Sequence, residues 1–226
     1  VVDYSVRYLS VRYPVNASNA NAYRDVIYVI VRENGKWNYH PFTITTSPGK
    51  IFLGEVAYSS KGTANWASPQ FTEGAYKIGT HRGYQAMQQK AKIYYYRDWD
   101  QDELPDNEIQ TNVTLHYARP AMNMHRSNST GKSKSISGYY KDKRGQKAYY
   151  KDSSGKSVET FINAYTFSAG SQVFADSKDF SNMLELTKRD QATNGTKLWD
   201  YIILQKEEYE KLINNPTELG TTLQDK

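Results

Sequence analysis

The chain contains no cysteine. Disulfides, thiolate metal sites and a thiol nucleophile are therefore excluded, although the absence does not identify the compartment. It also lacks any apolar run near the ~20 residues that a membrane-spanning helix needs, so a soluble protein is expected and a membrane partner is not. No leader-like segment opens the sequence, and position 1 is Val, not Met, so a processed product or a piece of a longer one is expected. No βαβ alternation runs through it, which excludes a parallel α/β architecture.

Its positive features point to strands. The 226 residues are 38% hydrophobic and 14% aromatic, enough to build a core and incompatible with a disordered chain. Tyrosine alone accounts for 20 positions and, with the many Thr, Val and Ile, favours pleated structure. Residues 25–45 read as a hairpin turning through Asn34-Gly35, the preferred type I′ pair. Further strands are expected in "GAYKIGTHRG", "AKIYYYRD", "NVTLHYA", "AMNMHRS" and "LWDYIILQ". Two segments read as helices. One is "DSKDFSNMLELTKRD", capped by Asp176 or Ser177 with Phe180, Met183, Leu184 and Leu186 apolar. The other is "KEEYEKLINN", stopped by Pro216. A mainly β domain over 25–226 is expected, preceded by an extension at 1–24.

The net charge of +5 is not spread evenly. Between Asn128 and Thr160 eight Lys/Arg stand against three acidic residues, and the other 21 cations are matched by 21 anions. This segment, at about 128–160, is rich in Ser, Gly and Lys, carries "YYKD" twice and reads as an inserted, protruding hairpin. Its tyrosines among cations also fit a nucleic-acid platform, an anionic wall or another subunit, alongside a plain solvated hairpin. Nucleic acid is the weakest of these readings and is not expected as a partner. The sequons at Asn112 and Asn128 read as chance matches.

The stretch "FSAGSQVF", residues 167–174, carries the chemical question. A hydrolase elbow requires G-x-S-x-G, but Ala169 and Val173 occupy the glycine positions. A P-loop ending at Gly131-Lys132-Ser133 would need its first glycine where Arg126 stands. Taken with "MNMHRSN" at 122–128, however, the stretch resembles the L,D-transpeptidase catalytic domain family. Its phage-encoded subgroup has a motif running roughly N-I-H-R … S-A-G-C-Q-V-F. The resemblance extends to "KWNYHPFTITT", "YKIGTHRG" and "DSKDFSNML", and so over much of 25–190.

That resemblance implies a β-sandwich with one or two short helices, and cysteine-type cleavage or acyl transfer on peptidoglycan stem peptides. It places His125 as base and Ser171 at the nucleophile position, with Gly170 and neighbouring N–H groups lining the oxyanion site. Ser168 is a further candidate substrate or oxyanion contact. Arg126 and Gln172 fit either the orientation of a substrate carboxylate or amide or satisfied surface groups, and His81, between glycines in "GTHRG", fits either a substrate contact or a solvent-exposed turn histidine. It implies action at the bacterial cell wall, by an endolysin or a virion-associated protein, and other phage structural subunits as possible partners.

Serine departs from the family pattern. A thiol near pKa ~8.5 is ionised by a neighbouring imidazole far more readily than an alcohol, so this chain is expected to be inactive or slow. An engineered Cys-to-Ser replacement and a naturally degenerate enzyme explain the residue equally well. A non-catalytic wall-binding or particle protein on the same fold is the alternative function. The separation of 46 positions from His125 to Ser171 exceeds the family's usual link, and the basic insertion accounts for most of the excess.

No cofactor is implied beyond one weak metal reading. Asp98, Asp100, Asp102 and Asp106 have a spacing that suits calcium, but Glu103 and Ile109 stand where an EF-hand loop has Gly and Glu. A solvated acidic loop fits the same residues.

Overall fold

The computed structural model describes residues 3–14, 23–48, 65–97, 115–126, 168 and 170–214, together with the backbone of 139–141 and 147–149. Alternation of apolar and polar side chains generates its first strands. In β1 (Tyr4–Arg12), Tyr4, Val6 and Tyr8 turn inward; in β2 (Asp25–Glu33), Ile27, Val29 and Val31 do so. β3 (Lys36–Thr45) pairs with β2 from Glu33 opposite Lys36. Asn34 and Gly35 both have positive φ, 51° and 76°, the backbone that a type I′ turn demands.

The remaining elements are β4 (Asn65–Ala67), β5 (Gln70–His81), β6 (Tyr84–Gln89), β7 (Ile93–Arg97), β8 (His116–Ala118), β9 (Met124–Arg126), β10 (Tyr139–Lys141), β11 (Lys147–Tyr149), β12 (Gln172–Phe174), α1 (Ser177–Asn194), β13 (Trp199–Gln205) and α2 (Lys206–Asn214). The protein is mainly β. Its principal sheet closes on itself in the order β1-β13-β5-β6-β9-β12-β3-β2, while β4-β7-β8 form a small separate sheet. Most neighbours in the ring are antiparallel; β1–β13 and β9–β12 are parallel. Closure removes the exposed edges that an open sheet would present.

Tyr8, Tyr76, Met87, Met124, Phe174 and Trp199 belong to the core inside this ring. Tyr76 and Tyr201 meet edge to face at 5.3 Å. α1 starts at Asp176, whose side chain accepts from the Lys178 N–H, and ends where Gly195 adopts φ 69°. It buries Phe180, Met183, Leu184, Thr187 and Asp190. Phe180 packs on Phe174 at 5.3 Å, which ties the helix to β12.

One expectation is corrected. The segment expected as an extension at 1–24 supplies β1, which lies between β2 and β13 in the main ring. Its alternation matches that of the other inner strands, and its neighbour β13 lies almost the whole chain away, so only the folded ring reveals the pairing. In the basic insertion, β10 and β11 pair antiparallel, with Tyr139 opposite Tyr149, as expected of a hairpin. Asp98, Asp100, Asp102 and Asp106 lie outside the described residues.

Candidate functional site

Two sequence-distant motifs meet because β9 and β12 are parallel neighbours. Met124 stands opposite Gln172, His125 opposite Val173, and Arg126 opposite Phe174. Paired side chains of parallel strands share a face, so His125 and Val173 lie together and Met124 and Phe174 face the core. Ser171 immediately precedes β12 and is partly exposed. The face of His125 and Val173 is covered: His125 is 3% exposed and Val173 fully buried.

The turn leading into β12 is held by its own residues. Ser168 Oγ accepts the Gly170 N–H at 3.0 Å and donates to the Ser171 carbonyl at 2.7 Å. Gly170 has φ 118°, and a Cβ there would lie 2.2 Å from the Asn65 carbonyl oxygen of β4. Only glycine satisfies both conditions. The Gln172 N–H then donates to the Asn123 carbonyl at 2.9 Å, which fixes where β12 begins.

His125 is oriented from its own backbone. Nδ1 lies 3.0 Å from the Arg126 carbonyl oxygen, which only accepts, so Nδ1 carries the proton and Nε2 keeps its lone pair. The His81 ring stacks on it at 4.5 Å and 10°. Tyr84 Oη lies 3.4 Å from His125 Nδ1, and Asn123 Nδ2 lies 3.4 Å from His81 Nδ1. The Arg126 guanidinium covers the Tyr84 ring at 4.5 Å. Burial pushes His125 down to about 4 against the opposing pull of the Arg126 carbonyl, with His81 and Arg82 lowering it further. Burial and Arg82 also lower His81. Both imidazoles are therefore neutral near pH 7, the form in which they stack without repulsion and in which one can accept a proton.

The implied contact residues sort differently. His81 and His125 stack on each other, and the Arg126 guanidinium reaches the Tyr84 ring beside them. Ser168 is fully buried and clasps the turn, so it is not a substrate contact. Gln172 is also fully buried, with its Oε1 2.6 Å from the Tyr76 hydroxyl inside the ring. The Gly170 N–H, implied as an oxyanion donor, is engaged by Ser168. No hydrogen bond joins Ser171 to His125 among the described residues, where no group of three or more His, Asp or Glu is placed to hold a metal either.

Tyr84 and Asn123 were not anticipated. Tyr84 opens β6, a strand concealed by the Arg82-Gly83 turn. Arg82 takes φ 48° there, a conformation that its residue type does not advertise. Asn123 joins three elements, accepting from Gln89 N through Oδ1 and from Gln172 N through its carbonyl. A lone Asn before a short strand carries no such signal.

Burial of a neutral histidine makes stability depend on pH. The unfolded chain takes up the His125 proton near 6.5, whereas the folded chain resists it until about 4. This contribution is complete above pH 6.5 and is lost as the pH falls towards 4, an interval worth at most roughly 3 kcal/mol. In urea titrations at pH 7.5, 5.5 and 4.0, His125→Gln should lose correspondingly less stability than the parent chain. Parallel pH profiles for the two proteins would refute the assignment.

No family model matches the chain, and neither a curated protein nor a solved structure does.

Proposed function

We propose that the β9–β12 region is an acyl-transfer site of L,D-transpeptidase type, directed at peptidoglycan stem peptides, with Ser171 where the thiolate nucleophile belongs. The sandwich form of that domain, a phage source and action at the cell wall are parts of the same proposal. One observation supports it above the rest: the parallel pairing of β9 and β12 brings His125, with Nε2 unprotonated, alongside the Ser168–Ser171 turn although the motifs are 46 residues apart. In the reaction, a thiolate at 171 attacks the carbonyl of a stem-peptide bond. His125 takes the thiol proton and returns it to the leaving amine, and water or a second amine releases the acyl group. In this proposal the Ser171 N–H serves as an oxyanion donor.

The present side-chain arrangement also favours a second reading, a non-catalytic wall-binding or particle protein, because Ser171 is not hydrogen-bonded to His125 and the Gly170 N–H is occupied. Mass spectrometry of muropeptides incubated with the parent chain, Ser171→Cys, and Ser171→Cys with His125→Ala separates the two. The enzyme reading expects turnover by Ser171→Cys, loss of about 100-fold or more on adding His125→Ala, and little or none by the parent chain. Inert peptides in all three would leave the non-catalytic reading.

A further inference from the structure

The outer wall of the ring is apolar where water would favour polar side chains. Alternation turns Leu9, Tyr28, Ile30, Phe71 and Ile202 outward, opposite to the core residues beside them. Part of this wall is covered by α2, which packs on β1 and β13 and stacks Tyr209 on Tyr28 at 5.8 Å. The other part is a groove of about 250 Å³, floored by Ile30 and Ile202 and flanked by Trp37 and Tyr39 on β3 and Phe71 on β5. These three aromatics are 47%, 62% and 53% exposed. Their strands are separated in the ring by β2, β1 and β13, so the groove runs across several strands and suits an extended ligand.

Its polar groups identify the kind of ligand. Arg7 and Asp200 both line the groove, and their charges cancel. Asp200 is held in place because its Oδ1 accepts the Gly74 N–H at 2.9 Å; among the described residues Oδ2 has no partner. A fixed acceptor, an exposed donor and flat aromatic faces are complementary to sugar rings, which have apolar C–H faces and a rim of hydroxyls. A protein partner needs about 20–30 residues a side, far more than line this groove. A charged ligand would leave Arg7 or Asp200 facing a like charge.

We propose that this wall binds a neutral glycan chain, stacked on Trp37, Tyr39 and Phe71 and hydrogen-bonded by Asp200 and Arg7. The site lies on the arc β5-β13-β1-β2-β3, whereas His125 and Ser171 belong to the arc β6-β9-β12 on the other side of the ring. It is therefore independent of the chemistry proposed there, and either can fail without the other.

The test is isothermal titration of the full chain with chitotetraose and with cellotetraose, the two arms distinguishing an N-acetylated from a plain glycan. Binding of at least one with Kd below about 1 mM is expected, weakened about tenfold or more by Trp37→Ala or Tyr39→Ala. Tyr117→Ala, which removes an aromatic 55% exposed on the small sheet, should leave it unchanged. Both groove substitutions are at exposed positions, and circular dichroism is the check that they fold. Absence of binding to both sugars, or equal loss in Tyr117→Ala, overturns the proposal. So does concentration-dependent dimerisation that Trp37→Ala abolishes, since a second copy would then be the occupant.

Discussion

Asp190→Ala is expected to cost about 3–5 kcal/mol of unfolding free energy, because it strips the acceptor from two buried and two part-buried donors at once. Asp190 is 2% exposed. Its Oδ2 accepts the Trp199 indole N–H at 2.8 Å and the Val6 N–H at 3.3 Å. Its Oδ1 accepts from Asn194 at 2.7 Å and Thr196 at 3.1 Å. One side chain on α1 thus ties β1 to β13, the parallel pair whose ends are almost the full chain apart. Trp199 and Val6 are buried, and water cannot take over their bonds, so each orphaned donor carries a desolvation cost of about 1–3 kcal/mol. Thr196→Ala, by contrast, removes a donor from a partly exposed position and should cost less than about 1 kcal/mol. Urea denaturation followed by circular dichroism measures both. A loss below about 1 kcal/mol in Asp190→Ala would mean that the α1 anchor lies elsewhere.

Gly170→Ala should be nearly as damaging, and for a reason local to the candidate site. At φ 118° the backbone lies where L-residues are strained by about 1–3 kcal/mol. The added methyl would also sit 2.2 Å from the Asn65 carbonyl oxygen and 3.0 Å from its carbon, both main-chain atoms that cannot rotate away. Together these predict a loss of ~3 kcal/mol or more, with Tm lowered by about 6–12 °C for a chain of this size. Gly83→Ala is the matched control: φ is 85° there too, but nothing lies within 4 Å, so only the conformational strain applies. Equal effects at the two glycines in a thermal melt would show that the approach to Asn65 is not the cause. In the Ser171→Cys background, Gly170→Ala should also abolish any turnover, since the Ser168 clasp and the position of residue 171 depend on that turn.

Features set by neighbours in sequence were legible in advance. Asn34-Gly35 between alternating runs carries the β2–β3 hairpin and its turn type. Asp176 and the 3.6-residue spacing of Phe180, Met183 and Leu184 mark the start and buried face of α1. Less legible was whatever depends on the opposite side of a turn or a strand. Arg82-Gly83 hides β6 because positive φ at an arginine is unusual. Ser168 and Gln172 resemble ligand-contacting polar residues in the motif, yet their bonds go to a backbone carbonyl and to Tyr76 inside the fold.

The sequence by itself determined that the protein is mainly β, that two of its segments form helices, and that its basic excess is confined to one insertion. Composition and short-range periodicity suffice for these because each rests on residues within a few positions of one another. Tertiary structure alone decided the closure of the ring, the membership of β1 in it, the stacking of His81 on His125, and the aromatic groove on the outer wall. Those follow from strand pairings over long separations, such as β1 with β13 and β9 with β12. In such pairings the loss of loop entropy is offset only by contacts that exist once the whole ring has formed.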